Sequence, residues 1–178
     1  MRRLVERRDT FVDLARAVNS TLDPQRIAEL MVERVSAWIP APWWVVTVSD
    51  ASGELSVLVT QGVPDRVGVT VDALARQIAV RMDAFLATAD LGDDARVTSE
   101  LGGTLVAWPL VSRERTIGAL VGIDPRRSSE APRFAPAVAR NLALLLEPVA
   151  VALDSAMTLR RVEALSVTDD LTQLYNSR

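Results

Sequence analysis

The segment from residue 136 to residue 168 constrains the fold most, because its pattern predicts one long amphipathic helix. Apolar residues recur along it at steps of three and four and so share one helical face. They are Val138, Leu142, Leu145, Leu146, Val149, Leu153, Ala156 and Leu159. Such a helix spans roughly 50 Å, whereas a compact domain made of the preceding residues is only about 35–40 Å across. Its far end is therefore expected to project and to contact a partner.

Composition excludes several functional classes. The chain has 178 residues of which 49% are hydrophobic, which predicts one folded domain with extensions. It contains no cysteine, so disulfides, thiol nucleophiles and zinc–thiolate sites are excluded. It contains no histidine either, which removes the imidazole general base and the histidine-ligated haem. We predict no cofactor and no metal.

Membrane insertion and secretion are not expected. Residues 1–16 carry charges throughout, unlike a signal peptide. The most apolar run, residues 142–153, contains Glu147 and Pro148 and is shorter than the roughly 20 residues that cross a bilayer. A net charge of −3 gives no general electrostatic reason to bind nucleic acid. We predict a cytoplasmic protein without a nucleic-acid partner.

The first segment, residues 1–21, has the pattern of an amphipathic helix. Leu4, Phe11 and Val18 are spaced seven apart, as in a short heptad seam. Its clustered arginines could mark a nucleic-acid or membrane patch, but acidic residues lie among them, which favours a solvated face. We interpret this helix as a dimer contact.

The middle of the chain alternates strand and helix patterns. Asp23 and Pro24 form a helix start, with the aspartate as N-cap and the proline at the first helical position. A second helix is predicted at 71–82. Strands are predicted at 43–48, 55–60, 84–88, 104–111 and 116–124, with turn residues between them.

Hairpin-linked strands indicate the fold class. Four of the strands are joined as two hairpins, which predicts a mostly antiparallel sheet. The fold class is therefore α+β, with a sheet of about five strands and the N- and C-terminal helices on one face. The long C-terminal helix is expected to extend beyond the sheet as a coiled coil.

Residues 105–111 and 116–121 resemble the late strands of GAF domains. In that family a strand ends in a Pro-Leu step, here at Pro109, turns, and returns with an Ile-Gly-x-Leu pattern, here from Ile117. The resemblance covers residues 22–153. PAS-type domains share the architecture and stay as the structural alternative.

The resemblance to GAF domains implies a small-molecule site between the sheet and the helix–loop segment after the second strand. Its candidate lining residues are Trp43, Trp44, Ile78, Met82 and Trp108, with the loop at 90–103. Tryptophan can stack on a purine or close an apolar pocket, but it also serves as plain core. The motif of the cyclic-nucleotide-binding members is absent. The absence of cysteine removes the thiol-dependent methionine sulfoxide reductase activity that such folds can host. The effector, if one binds, is an unknown small molecule.

A second resemblance lies at the end of the chain. GGDEF domains, the catalytic domains of diguanylate cyclases, usually open with D-x-L-T-G-L-x-N-R-R. The matching residues here are Asp169, Leu171, Thr172, Leu174, Asn176 and Arg178, and the departures are Gln173 and Ser177. The resemblance implies a regulatory fragment that ends just inside a cyclase, which converts two GTP into cyclic di-GMP. The metal- and GTP-binding residues of the family are missing from the chain, so we predict no enzyme activity for it.

Dimerisation is the expected role of the terminal helices. The resemblance implies that two cyclase domains, each with one GTP, must face one another. One heptad register of the long helix is Leu142, Leu145, Val149, Ala152, Ala156 and Leu159. Beyond it the apolar positions move to Val162 and Leu165, which predicts a register change near Arg160 and a two-state packing. Pro148 is expected to kink the helix between its packed and projecting halves.

These patterns divide the chain into four parts. They are an N-terminal helix at 1–21, a GAF-like sensory domain at 22–153, a signalling helix at 154–168 and the start of a GGDEF domain at 169–178. The predicted function is a sensory and dimerisation module that controls a diguanylate cyclase. The alternative is a small-molecule receptor of GAF or PAS type whose dimerisation is incidental.

Overall fold

The computed structural model describes residues 21–39, 41–50, 52–81, 89–90, 104–125 and 136–175. Its helices are α1 (Pro24–Ser36), α2 (Asp65–Arg81) and α3 (Pro136–Tyr175). Its strands are β1 (Trp43–Ser49), β2 (Leu55–Gln61), β3 (Ala89–Asp90), β4 (Thr104–Ser112) and β5 (Arg115–Asp124). The predicted N-terminal helix at 1–21 and the predicted strand at 84–88 lie outside the described residues, apart from Thr21.

Helix α1 begins where the sequence predicts. Asp23 is the N-cap, in an extended conformation with φ −86° and ψ 112°, and Pro24 follows it. The backbone N–H of Gln25 donates to Asp23 Oδ1 at 3.1 Å, so the carboxylate satisfies one of the free amides at the helix start. The helix turns Ile27 and Met31 into the core.

The strands form one antiparallel sheet in the order β2-β1-β5-β4-β3. β1 and β2 form one hairpin, β4 and β5 the other, and β1 pairs with β5 to join them. Four strands are long, and β3 is a two-residue strand at the edge. The antiparallel α+β fold is therefore confirmed in its four long strands.

The sheet carries helices on both faces. α1 and α3 pack on one face, over Trp44, Val106 and Trp108. α2 packs on the opposite face. α1 and the C-terminal helix thus share one side of the sheet, and the predicted N-terminal helix at 1–21 lies outside the described residues apart from Thr21.

Helix α2 begins at Asp65, earlier than the predicted start at residue 71. Its first turns contain Gly68 and several β-branched residues, which have low intrinsic helix propensity. Val67, in the first turn, is partly buried and packs against the same cluster as Val71 and Leu74. Packing of the first turn on this cluster supports the earlier start.

Gly122 in β5 makes room for a tryptophan. Trp44 and Gly122 are opposite one another in the β1–β5 pair. A Cβ atom at Gly122 would lie 2.8 Å from the indole ring of Trp44, and Trp44 Nε1 donates to the carbonyl of Ala41 at 2.8 Å. The ring therefore lies close against β5, and a side chain at residue 122 would force it to shift.

Helix α3 is 40 residues long and continues through Pro148 and past the predicted end at residue 168. Its stretch Leu142–Ala164, with a mean hydropathy of 1.7, is long and apolar enough to cross a membrane by length and composition alone. In this fold the buried side chains of that stretch pack on the sheet and on α1. Core packing explains part of the apolar composition, since 39% of an 18-residue window of that stretch is buried, and the absence of membrane insertion stays a prediction.

Candidate functional site

The inner face of α3 belongs to the core of the domain. Leu142, Leu145, Val149 and Ala156 are each exposed by 2% or less, in contact with the sheet and α1. The predicted dimer seam through these four residues must be corrected, since their side chains are already covered within the chain. Among the seam positions whose side chains the structure describes, Leu159 and Val162 are exposed, at 37% and 58%.

The boundary between the packed and projecting parts of α3 lies later than predicted. Burial in the core continues to Ala156, beyond the predicted domain end at 153. From Thr158 to Ala164 every side chain is exposed. Pro148 is itself exposed and lies between buried residues of the packed part, so it does not separate the two parts of the helix.

A carboxylate holds α3 at the point where it leaves the sheet. Asp154 is 8% exposed. The buried hydroxyl of Ser112 donates to Asp154 Oδ2 at 2.9 Å, and Arg115 Nη2 donates to Asp154 Oδ1 at 2.9 Å. Both partners lie at the tip of the β4–β5 hairpin, so one side chain of α3 ties the helix to the hairpin.

The turn of that hairpin is tight and strained. Its central residues, Arg113 and Glu114, have φ values of 50° and 65°. Positive φ at both positions is the conformation of a type I′ turn, which glycine and asparagine favour and which costs larger side chains energy. The two-residue turn brings Ser112 and Arg115 side by side, and this pairing creates the anchor for Asp154.

A second contact joins α3 to the start of α1. Arg160 Nη2 donates to Asp23 Oδ1 at 2.6 Å. Asp23 thereby has two roles, since the same oxygen caps α1. The side chains of Arg160 and Asp23 are 57% and 47% exposed, so this pair is a solvated contact outside the core.

A weaker electrostatic effect links α3 to the β1–β2 turn. The pKa of Asp50 is lowered from its ordinary value of 3.8, first by the hydrogen bond from the side chain of Ser52. Backbone N–H groups of Glu54 and Ser52 and the positive charge of Arg161 act in the same direction. Arg161 on α3 therefore lies within electrostatic range of this turn.

These contacts form one group, which we name the exit cluster. Its members are Asp23, Asp50, Asp154, Ser112, Arg115, Arg160 and Arg161. Apart from the hydroxyl of Ser112, which donates to Asp154, the cluster contains carboxylates and guanidinium groups. Arg115 pairs with Asp154 and Arg160 pairs with Asp23. Within the described residues, no group of three His, Cys, Asp or Glu side chains could hold a metal ion. The arrangement suits the positioning of a helix.

The candidate ligand residues do not line one pocket. Trp44 and Trp108 are buried on the face that α1 and α3 cover, whereas Trp43 and Ile78 pack on the opposite face with α2. Consecutive strand residues point to opposite faces, which separates Trp43 from Trp44. The predicted pocket must be corrected to this extent, and Met82 lies outside the described residues.

The GGDEF-like motif lies at the far end of α3. The backbone of Asp169, Leu171, Thr172 and Leu174 is helical. Asn176 and Arg178 lie outside the described residues. So do the N-terminal heptad positions Leu4, Phe11 and Val18.

Comparison with known proteins identifies the fold. No protein-family model matches the sequence, and no curated protein matches it. Among solved structures, the GAF domain of an Acinetobacter phosphoenolpyruvate-protein phosphotransferase superposes with a TM-score of 0.65 at 15% identity, over 84% of this chain and 93% of its own. The chain has the fold of a GAF domain.

Two further GAF structures are similar. The GAF domain of a protein described as a sensor histidine kinase, from Pseudomonas syringae pv. tomato, has a TM-score of 0.60 at 18% identity, over 94% of this chain and 96% of its own. The GAF domain/HD domain protein from Geobacter sulfurreducens has a TM-score of 0.61 at 17% identity, over 80% of this chain and 98% of its own. At these identities the GAF comparison establishes the fold alone.

Sequence reasoning did not find the exit cluster. Asp154 is the one available signal, because it is a charged residue next to the buried positions Leu153 and Ala156 of an apolar stripe. Buried carboxylates are almost always paired, so this position alone could have indicated a tertiary contact. Its partner Ser112 is 42 positions away and has no local signal.

Proposed function

We propose that this GAF-fold chain is a regulatory module that passes its state through α3 to a diguanylate cyclase joined at its C-terminal end. The observation that carries the proposal is the position of the cyclase-like motif. Residues 169–174 lie on the far part of a helix whose near part, through Ala156, is fixed in the core. The helix extends roughly 25–30 Å from Ala156 to Tyr175.

The fold comparison supports a regulatory role. GAF domains of the same fold occur in a protein described as a sensor histidine kinase and in a GAF domain/HD domain protein. In the described part of the chain the polar groups of the exit cluster are engaged in positioning α3. A module of this kind needs no catalytic group of its own, and we expect the chain alone to turn over no GTP.

The helical phase of α3 provides a direct test. The chain is joined to a GGDEF domain through its own motif, and residues are inserted between Ala164 and Leu165. Two inserted residues rotate the output domain by about 200°, whereas seven restore the original direction to within about 20°. We expect the seven-residue insertion to retain synthesis of cyclic di-GMP from GTP and the two-residue insertion to change it severalfold. Equal rates in both variants, or no turnover in any, would contradict the proposal.

We also propose that two copies pair through the outer face of α3. A second heptad-like set, spaced four and three apart, runs along this face without a register change. It consists of Leu144, Pro148, Val151, Ser155, Thr158, Val162 and Leu165. The first six have exposed side chains. This set replaces the buried seam and makes a break near Arg160 unnecessary.

Cross-linking of single cysteines tests the outer register. The chain has no cysteine, so each introduced thiol is unique. Val162 belongs to the outer set and is replaced by cysteine in the first variant. Glu163, four residues after Leu159, continues the register predicted from the buried residues and is replaced by cysteine in the second. We expect oxidation to give a covalent dimer for Val162→Cys at a several-fold higher yield than for Glu163→Cys. The reverse order, or a monomeric mass by light scattering, would reject the outer register.

A receptor for a small effector is the second candidate function. On α2, which covers the face opposite to α1 and α3, Asp72 Oδ1 is buried and has no hydrogen-bond partner among the described residues. Such an oxygen can accept a hydrogen bond from a ligand. Native mass spectrometry of the purified protein, compared with Asp72→Ala, which removes the acceptor oxygen, tests this role. A bound mass that Asp72→Ala loses would favour it, and an unliganded mass in both would count against it.

A further inference from the structure

The pair of Asp23 and Arg160 connects the two ends of the described domain. Asp23 directly precedes α1 and therefore lies where the chain enters the domain. Thr21 Oγ1 accepts from the N–H of Asp23 at 3.2 Å, which fixes the entering backbone to the cap. Arg160 lies one helical turn beyond Ala156, where α3 leaves the core. One ion pair thus spans 137 positions of sequence between the entrance and the exit.

The stabilising contribution of the Asp23–Arg160 pair is small, which suits a reversible switch better than a contact that holds the fold together. Both side chains are about half exposed, and such a pair contributes about 0–1 kcal/mol. That is too little to hold the fold together. It is enough to change the balance between two orientations of the exposed helix by up to about five-fold.

Arg161, next to Arg160 on α3, is relevant to how the helix is rotated about its axis. Arg160 bonds to Asp23 at the start of α1. The positive charge of Arg161 is the smallest of the causes that lower the pKa of Asp50 in the β1–β2 turn. Successive helical residues point about 100° apart. Rotation of the exposed helix about its axis therefore moves the two guanidinium groups together relative to two fixed carboxylates. The Arg160–Asp23 hydrogen bond therefore favours one rotation of the helix exit.

We propose that the Asp23–Arg160 pair couples the chain entering the domain to the helix leaving it. A displacement of the entering segment changes the position of the Asp23 carboxylate, and Arg160 transmits that change to α3. The module then relays a signal that arrives from its N-terminal side, without a ligand in the domain. The relevance to output rests on the proposed function, but the coupling itself is a property of this chain.

Two substitutions isolate the coupling. Asp23→Asn keeps the helix cap, because asparagine caps about as well as aspartate, and removes the charge that attracts Arg160. Arg160→Gln removes the cation and leaves the cap untouched. The matched control is Arg26→Gln, which breaks the Arg26–Glu29 ion pair. The side chains of this pair are 51% and 41% exposed, similar to those of Asp23 and Arg160, but both residues lie within α1.

Hydrogen exchange of the whole chain is the measurement. Arg160→Gln should speed exchange at residues 21–26, and Asp23→Asn should speed exchange at 157–164. Because coupling free energies are reciprocal, the two factors should be equal, at up to about five-fold. The double variant should add nothing to either single one. Arg26→Gln should leave 157–164 unchanged. A change confined to the mutated side, additive effects, or an equal response to Arg26→Gln would overturn the coupling.

The same variants separate the coupling from the proposed function. In the chain joined to a GGDEF domain, the two substitutions should change cyclic di-GMP synthesis in the same direction. Reciprocal exchange with unchanged synthesis would reject control of the cyclase and retain the coupling. Changed synthesis without reciprocal exchange would reject the coupling and retain control of the cyclase.

Discussion

The Asp154 anchor predicts an order of stability losses that an ordinary surface ion pair would not produce. The hydroxyl of Ser112 is fully buried and 2.9 Å from its carboxylate acceptor, and a hydrogen bond to a charged group contributes about 1.5–3 kcal/mol. Arg115 is 65% exposed, so its pair contributes about 0–1 kcal/mol. Asp154→Ala should cost about 2–4 kcal/mol, Ser112→Ala about 1–3, and Arg115→Ala at most about 1.

Urea unfolding followed by tryptophan fluorescence measures these differences in free energy of unfolding. For a chain of this size each kcal/mol also lowers the Tm by about 2–4 °C. Ser155→Ala is the matched control, because its hydroxyl donates to the carbonyl of Val151 at 2.8 Å on the exposed side of the same helix. We expect it to change stability by less than about 0.5 kcal/mol.

A double-mutant cycle decides whether the anchor is a pair or two independent contacts. Ser112→Ala combined with Asp154→Ala should show a coupling of about 1–2 kcal/mol, because either single change already removes the shared hydrogen bond. The reasoning is refuted if the two losses add, or if Arg115→Ala costs more than Ser112→Ala. Either result would mean that burial of Ser112 does not strengthen its contact.

Three further perturbations test other parts of the structure. Gly122→Ala should lower the free energy of unfolding by about 1–3 kcal/mol, because its Cβ meets a buried indole. Gly68→Ala, with open space around the position, should raise it by about 0.5–1 kcal/mol. Urea unfolding measures both. Glu114→Gly should relieve the positive φ of the β4–β5 turn and raise stability by about 0.5–1 kcal/mol; a lower Tm would contradict the assignment of strain. The pKa of Asp50 is lowered from 3.8, so its contribution to stability is present above that pH and is lost as pH falls through the folded-state value. Carboxyl NMR should show Ser52→Ala raising this pKa toward 3.8, and an unchanged titration would contradict the hydrogen bond as its main cause.

The fold follows largely from local signals in the sequence. The Asp23-Pro24 start of α1 and the turn after β1 depend on side chains that bond to the backbone a few residues away, as Asp50 Oδ1 does with Ser52 N at 2.8 Å. Such contacts are visible as short motifs. The start of α2 was missed because Gly68 and its β-branched neighbours have low helix propensity, whereas Val67 packs against the apolar cluster under α2.

The candidate site was less predictable because periodicity identifies an apolar face without identifying what covers it. The stripe through Leu142 and Val149 has the spacing of a coiled coil, yet the sheet of the same chain covers it. The exit cluster depends on pairs that are 39 to 137 positions apart. Ion pairs at such separations follow from the tertiary fold and leave no pattern in a single sequence.

The energies of the two parts of α3 indicate where a signal can pass. Sliding or rotating the packed part would remove several fully buried side chains from the core, each contributing about 1.5–3 kcal/mol, among them Leu142, Leu146 and Leu153. The exposed pair of Arg160 and Asp23 contributes at most about 1 kcal/mol. A change in the module that must be reversible under weak input therefore moves α3 beyond Ala156 and leaves its packed part in place. Under the proposed function, the output domain senses rotation at the exit cluster rather than a shift of the whole helix.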